Sequence, residues 1–95
     1  MTFSELLVKH NPQASRFEVE KEGNLALLEY VQQGDRIVFT HTGVPSALEG
    51  QGIGSRLARA GLEYARAQGM KVIALCSFVA AYIQKHPEYQ DLLAR

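Results

Sequence analysis

The sequence predicts an α+β fold built from an antiparallel β meander and one βαβ crossover, in the order β-β-β-α-β-α. Three observations carry that prediction. Residues 16–44 fall into strand-length apolar or alternating segments separated by glycine turns. From Ile53 the apolar spacing changes to that of a helix. Beyond that helix, Lys71 to Leu75 is a short run rich in Val and Ile, and a strand reached through a helix pairs in parallel with the strand before it.

The elements follow in order. Residues 1–15 leave two readings: Ser4 to Val8 forms either a helical turn or a short edge strand, and Asn11-Pro12 ends it. Arg16 to Glu20 alternates polar and apolar, the mark of a strand with one wet face. Glu22-Gly23-Asn24 supplies a turn. Leu25 to Gln32 is apolar on both faces, which suits a central strand. Gln33-Gly34-Asp35 makes a hairpin turn in which Gly34 is free to take positive φ. Arg36 to Val44 is the third strand, and strict alternation puts Ile37, Phe39 and His41 on one face and Val38, Thr40 and Thr42 on the other. Pro45 has no amide hydrogen, so ladder pairing stops or distorts there.

In the helix, Ile53, Leu57, Gly61 and Tyr64 share a face with Ala58, Leu62 and Ala65 beside it, whereas Arg56, Arg59, Glu63 and Arg66 fall opposite. The pattern lasts about four turns, and Gly69 suits its C-terminal cap. A second helix runs from Phe78 to Lys85. Pro87 stops it and opens a last short helix to Leu93.

The 95 residues make one domain, spanning 1–95. A 46% apolar and 21% charged composition reads as globular rather than disordered. Formal net charge is zero, so no basic excess drives binding to a phosphate backbone, and nucleic acid is not an expected partner. Cys76 is the only cysteine, which excludes an intramolecular disulfide, and no Cys/His spacing suggests a metal site. No run approaches a membrane span, and a cytoplasmic location is the default expectation.

Glycines at 50, 52 and 54 stand between a strand and a helix. Backbone without side chains admits a bulky anion closely. The first amides of a helix lack intrahelical partners and carry the positive end of its dipole. Such a unit is a natural pyrophosphate cradle. The dinucleotide fingerprint G-x-G-x-x-G does not fit, because the third glycine comes one residue too early after Gly52 and a meander precedes it. The Gly-Lys-Ser/Thr of nucleotide hydrolases is absent. What remains is x-x-x-G-x-G opening a helix; spacing alone also fits a tight loop with close helix–strand packing.

Glu49 to Ser55 resembles the pyrophosphate-binding motif of the GNAT N-acetyltransferase superfamily, Gln/Arg-x-x-Gly-x-Gly/Ala, with Gly52 and Gly54 at its glycines and Glu49 departing at its first position. His41-Thr42-Gly43-Val44-Pro45, Gly50 to Gly54, and Cys76-Ser77-Phe78 through Tyr82-Ile83 to His86-Pro87-Glu88-Tyr89 together resemble the small YjdJ-type, or NATD-like, GNAT family. That family often carries glutamate where this chain has Gly43.

The resemblance implies a minimal GNAT-like domain that binds acetyl-CoA and transfers its acetyl group to an amine. A non-catalytic coenzyme A-binding or acyl-CoA-sensing module is the alternative. It implies that the third strand and Lys71–Leu75 splay apart at their C-terminal ends to admit the pantetheine arm along Thr42, Gly43 and Val44. The pyrophosphate would rest on the amides of Gln51, Gly52, Ile53, Gly54 and Ser55, with Arg56 adding a charge-assisted contact or remaining a solvated surface residue.

Two routes of transfer are open. In direct attack by the amine, a backbone amide near Val44 stabilises the developing oxyanion. In the two-step route, Cys76 takes the acetyl group first, helped toward thiolate by the helix N-terminus behind it. Cys76 equally suits a small buried core position. His41 is the candidate base, since imidazole titrates nearest neutral pH, or else a strand histidine satisfied by hydrogen bonds. Tyr82 is the candidate acid for the departing thiolate, or core packing. Lys85 and His86 cap a helix end or reach the coenzyme phosphates. Because the chain ends soon after its last helix, the acceptor side is expected to be open, which suits a bulky acceptor, a site completed by a partner or a weak catalyst.

Overall fold

The computed structural model describes residues 7–94. Strands β1 (Lys9–Asn11), β2 (Arg16–Lys21), β3 (Asn24–Gln33) and β4 (Arg36–Gly43) form an antiparallel meander. Helix α1 (Ile53–Ala67) carries the chain over one face to β5 (Lys71–Ala74), parallel to β4, and the sheet order is β1-β2-β3-β4-β5. Helix α2 (Ser77–Lys85) and two short 3₁₀ segments, Ser46–Leu48 and Pro87–Leu92, complete the elements. The expected β-β-β-α-β-α order therefore holds with one strand added in front. Strand β1 pairs Lys9–Asn11 with Arg16–Glu18, just after the Ser4–Val8 segment. Ser4, Glu5 and Leu6 lie outside the described residues, and Leu7 and Val8 belong to no regular element.

Two-residue loops fix the meander register. Lys21 pairs with Asn24 across Glu22 (φ 54°) and Gly23 (φ 80°), the double positive φ of a hairpin turn matched to strand twist. Gln33 pairs with Arg36 across Gly34-Asp35.

One core lies between the sheet and the helices. Phe17, Val19, Ala26, Leu28, Tyr30, Ile37, Phe39 and Val72 from the strands meet Leu57, Leu62, Val79 and Ile83 from the helices. Gly61 brings α1 close to the sheet: a Cβ there would lie 2.8 Å from the Phe39 ring and 3.1 Å from Leu28 Cδ2. The opposite face differs. Leu25, Leu27 and Glu29 of β3 are only half-buried, and Val31 and Leu75 are exposed. Strand β3 is central, as its sequence suggests, yet the buried side chains of α1 and α2 all join the cluster on the Phe39 face.

The alternation expected of β4 breaks at Thr40. Tyr30 stands opposite Phe39, but Glu29 stands opposite His41, so Thr40 is an extra residue, a β-bulge. Its hydroxyl donates to the Glu29 carbonyl at 3.2 Å. The bulge reverses the phase of everything after it. Thr42, opposite Leu28, shares the core face with Phe39, while His41 moves to the open face with Glu29. The expectation that His41 sits with Ile37 and Phe39 is thus corrected, because strict alternation requires an unbroken ladder.

Candidate functional site at the parting of two strands

Strands β4 and β5 pair from Arg36–Lys71 to Phe39–Ala74, and no further. The amides of Leu75 and Cys76 both donate to the Phe39 carbonyl, at 3.1 and 2.9 Å, and the chain then turns into α2. Thr40 to Gly43 have no ladder partner on that side among the described residues. The splay therefore begins at Phe39. It lies at the C-terminal ends of a parallel pair, where open α/β sheets place ligands.

Both helices that follow these strands start beside the gap. Phe78, the second residue of α2, lays its ring on Gly54, the second residue of α1; a Cβ at Gly54 would meet Phe78 Cζ at 2.8 Å. Gly54 is glycine because another helix presses on it, which sequence spacing does not reveal.

The glycine turn leaves donors free. Gly50 and Gly52 adopt φ of 83° and 73°, a conformation in which side chains are strained. Gly52 is the N-cap of α1 and offers no side-chain oxygen. The first intrahelical-type bond is Arg56 N–H to the Gly52 carbonyl, at 3.1 Å. The amides of Ile53, Gly54 and Ser55 have no hydrogen-bond partner among the described residues. They adjoin a depression of about 380 Å³ lined by Gln51, Gly52, Ser55, Arg56, Arg59 and Tyr82. Gln51 is held there by Lys21, whose Nζ donates to its Oε1 at 2.9 Å. Neither the Arg56 nor the Arg59 guanidinium makes a hydrogen bond or ion pair among the described residues. Free amides at a positive helix end, beside two guanidinium groups without a partner among the described residues, are chemically suited to an anion.

Cys76 caps α2 at the other end of the gap. It is 8% exposed, and its Sγ lies 3.1 Å from the Thr42 hydroxyl. The structure thus brings Thr42 and Cys76 together, and the bulge at Thr40 is what turns Thr42 toward it. His41 is on the other side of the sheet. Its Nε2 leans over Gly43, 3.2 Å from where a Cβ would be.

A family model for GCN5-related N-acetyltransferases matches residues 16–92, from the start of β2 to the end of the last 3₁₀ turn. The chain belongs to that family. Protein NATD1 of Mus musculus is 35% identical over 88 residues, covering 90% of this chain and 80% of the mouse protein. Protein NATD1 of Homo sapiens is 34% identical over 88 residues, covering 90% of this chain and 78% of the human one. An NMR solution structure of a GCN5-like protein from Staphylococcus aureus superposes with a TM-score of 0.74 at 34% identity, covering 96% of this chain and 90% of that one.

Within this GCN5-related fold, the remaining candidates separate by position. Tyr82 lines the depression with Arg56 and Arg59, at the glycine-turn end. Its ring stacks on His86 at 3.9 Å, and His86 Nδ1 lies 2.8 Å from the Tyr82 carbonyl, closing the last turn of α2. Sequence reasoning missed two residues. The helical period puts Arg59 only on the face opposite the apolar one, yet it follows Arg56 by one short step around the helix and shares its depression. Glu29, opposite His41, became visible only through the shifted register. Among the described residues no cluster of His, Cys, Asp and Glu can hold a metal ion, and no helix is long and apolar enough to cross a membrane.

Proposed function

We propose that this chain binds acetyl-CoA and transfers its acetyl group to an amine. The observation that carries the reading is the set of free amides at Ile53, Gly54 and Ser55, facing Arg56 and Arg59 beside the gap that opens at Phe39. Coenzyme A is a diphosphate with a long extended tail, and a helix-end anion site next to an unpaired strand edge suits both parts. Bound there, it supplies an activated acetyl thioester.

The chain's own residues do the rest. The glycine turn and two arginines hold the phosphates, and Gln51, fixed by Lys21, shapes the turn. Backbone at Thr42, Gly43 and Val44 holds the arm, and an amide near Val44 is the candidate oxyanion donor. His41 is the proton acceptor. Tyr82, at the phosphate end, serves the coenzyme rather than the departing sulfur.

Direct transfer is favoured over a Cys76 adduct, because Cys76 is buried in the core cluster and engaged with the Thr42 hydroxyl. The amine nitrogen then replaces sulfur at the acetyl carbon. An acceptor that arrives as ammonium first gives one proton to His41; the neutral amine then attacks, and the one further proton it loses leaves with the thiol, so the amide is neutral.

The test is thermal unfolding with acetyl-CoA followed by thiol release with an amine present. Ligand at 100 times its dissociation constant stabilises by about 2.7 kcal/mol. No shift at millimolar acetyl-CoA rejects binding. Stabilisation without thiol release by wild type rejects transfer and leaves a coenzyme-binding module. Intact mass showing an adduct that Cys76→Ala abolishes, together with its turnover, rejects the direct route.

A further inference from the structure

We infer that Phe78 is a positioning residue: its ring, set between the starts of α1 and α2, fixes the span from the first amides of α1 to the gap between β4 and β5. This rests on the coenzyme-binding reading and adds the side chain that matches the site to the length of its ligand. Phe78 is the second residue of α2 and Gly54 the second of α1. A Cβ at Gly54 would lie 2.8 Å from Phe78 Cζ and 3.2 Å from both Cε atoms, so the ring meets the first turn of α1 by its tip.

Core packing does not account for this ring. It is 42% exposed and stands outside the core cluster, to which α2 contributes Val79 and Ile83 instead. Leaving that much aromatic surface in water forgoes part of its burial energy. What the ring touches is the bare backbone of Gly54, in the turn whose amides have no partner among the described residues. Alanine is the better helix former at that position, but its methyl and the ring tip would claim the same space.

The start of α2 is itself tied to β4. The Leu75 and Cys76 amides both donate to the Phe39 carbonyl, where the strands part, and Cys76 Sγ lies 3.1 Å from the Thr42 hydroxyl. A line of contacts therefore runs from Thr42 through Cys76 and Phe78 to Gly54, joining the gap to the amides. Within that line the phenyl ring is a spacer of fixed length. A ligand held at both ends gains fully from its second contact only when the distance between the two matches its own reach. Coenzyme A is such a ligand, with a diphosphate at one end and a thiol arm at the other. Setting that distance raises affinity for the whole molecule and leaves affinity for its nucleotide part alone untouched.

The test uses the full chain and calorimetry with two ligands, coenzyme A and 3′-phospho-ADP, its nucleotide part without the arm. Phe78→Ala is expected to weaken coenzyme A about tenfold and 3′-phospho-ADP by less than about twofold. Gly54→Ala drives a methyl into the ring and is expected to weaken coenzyme A to a similar degree. Gly54→Ala combined with Phe78→Leu sets that methyl against a shorter side chain, and is expected to return coenzyme A to within about threefold of wild type. A merely structural role would not separate the two ligands or give that rescue. Equal weakening of both ligands by Phe78→Ala, unchanged coenzyme A affinity, a double variant no better than Gly54→Ala, or wild type that binds coenzyme A no tighter than 3′-phospho-ADP overturns the inference. Wild type that binds neither ligand overturns the coenzyme reading and this inference with it. The expected pattern of binding without thiol release from acetyl-CoA overturns the transfer reading alone.

Discussion

The two ends of α1 are built on opposite plans. At its C-terminus every late carbonyl that the turn can reach is used. Gly69 at φ 70° lets its own amide bond Arg66 and the Met70 amide bond Ala65, the paired bonds of a Schellman cap. Arg66 then ties this end to the last 3₁₀ segment, reaching both Asp91 oxygens at 3.1 Å and the Glu88 carbonyl at 2.6 Å. At its N-terminus nothing caps among the described residues. The first turn has no acidic side chain, Gly52 offers no side-chain oxygen, and three amides have no partner among the described residues. A helix with one finished end and one bare end has kept free donors where a ligand anion can use them, at a cost in stability.

The sharpest way to break this asymmetry is to finish the bare end. Ser55→Glu puts a carboxylate in the first turn, where it complements the dipole. It is expected to raise stability by about 0.3–1 kcal/mol in urea unfolding while weakening acetyl-CoA binding about a hundredfold by calorimetry. A gain in stability with affinity intact would mean the amides do not face the ligand.

Removing charge without touching the amides comes next. Arg56→Ala and Arg59→Ala are each expected to weaken acetyl-CoA about tenfold, as loss of a charge-assisted bond does, with unfolding curves within about 0.5 kcal/mol of wild type. Unequal effects would show which guanidinium meets phosphate.

The finished end should respond in stability alone. Gly69→Ala has open space around its Cβ but a left-handed backbone, so it is expected to cost about 1 kcal/mol with acetyl-CoA affinity unchanged. The smallest effect belongs to pH. Burial first, then the hydrogen bond that Tyr89 donates to Glu63 at 2.6 Å, push the Tyr89 phenol up to about 12. A raised phenol contributes stability that is whole below its ordinary value near 10 and is lost as pH rises through 12. Ultraviolet titration should show a late tyrosinate step that Tyr89→Phe removes, with the alkaline loss of stability reduced in parallel. A step at the ordinary pH would sever Tyr89 from Glu63.

Much of the fold was readable because it is local. The turn at Gly34, the stop at Pro45, the 3.6-residue period from Ile53 and the cap at Gly69 each depend on residues within a few positions. The candidate site was half readable. The glycine turn announces a bare helix end by itself. Thr40 carries no mark of a bulge, however, so strict alternation put His41 on the wrong face and hid Glu29. Gly54 read as either room for a ligand or close packing, and its space is taken by Phe78, from a helix rather than a strand. Arg59 read only as lying opposite the apolar face, because helical period sorts side chains into toward or away from the core, not by what approaches the outer flank.

The sequence by itself determined the element order from β2 onward, the meander register at its two tight turns and the uncapped start of α1, since backbone conformation and hydrogen-bond supply there are set by near neighbours. Only the tertiary structure decided which face His41 and Thr42 occupy, where β4 and β5 part, and that Cys76 meets Thr42 across the gap. Those outcomes depend on how separate strands pair, and one extra residue in a ladder reverses every side chain beyond it.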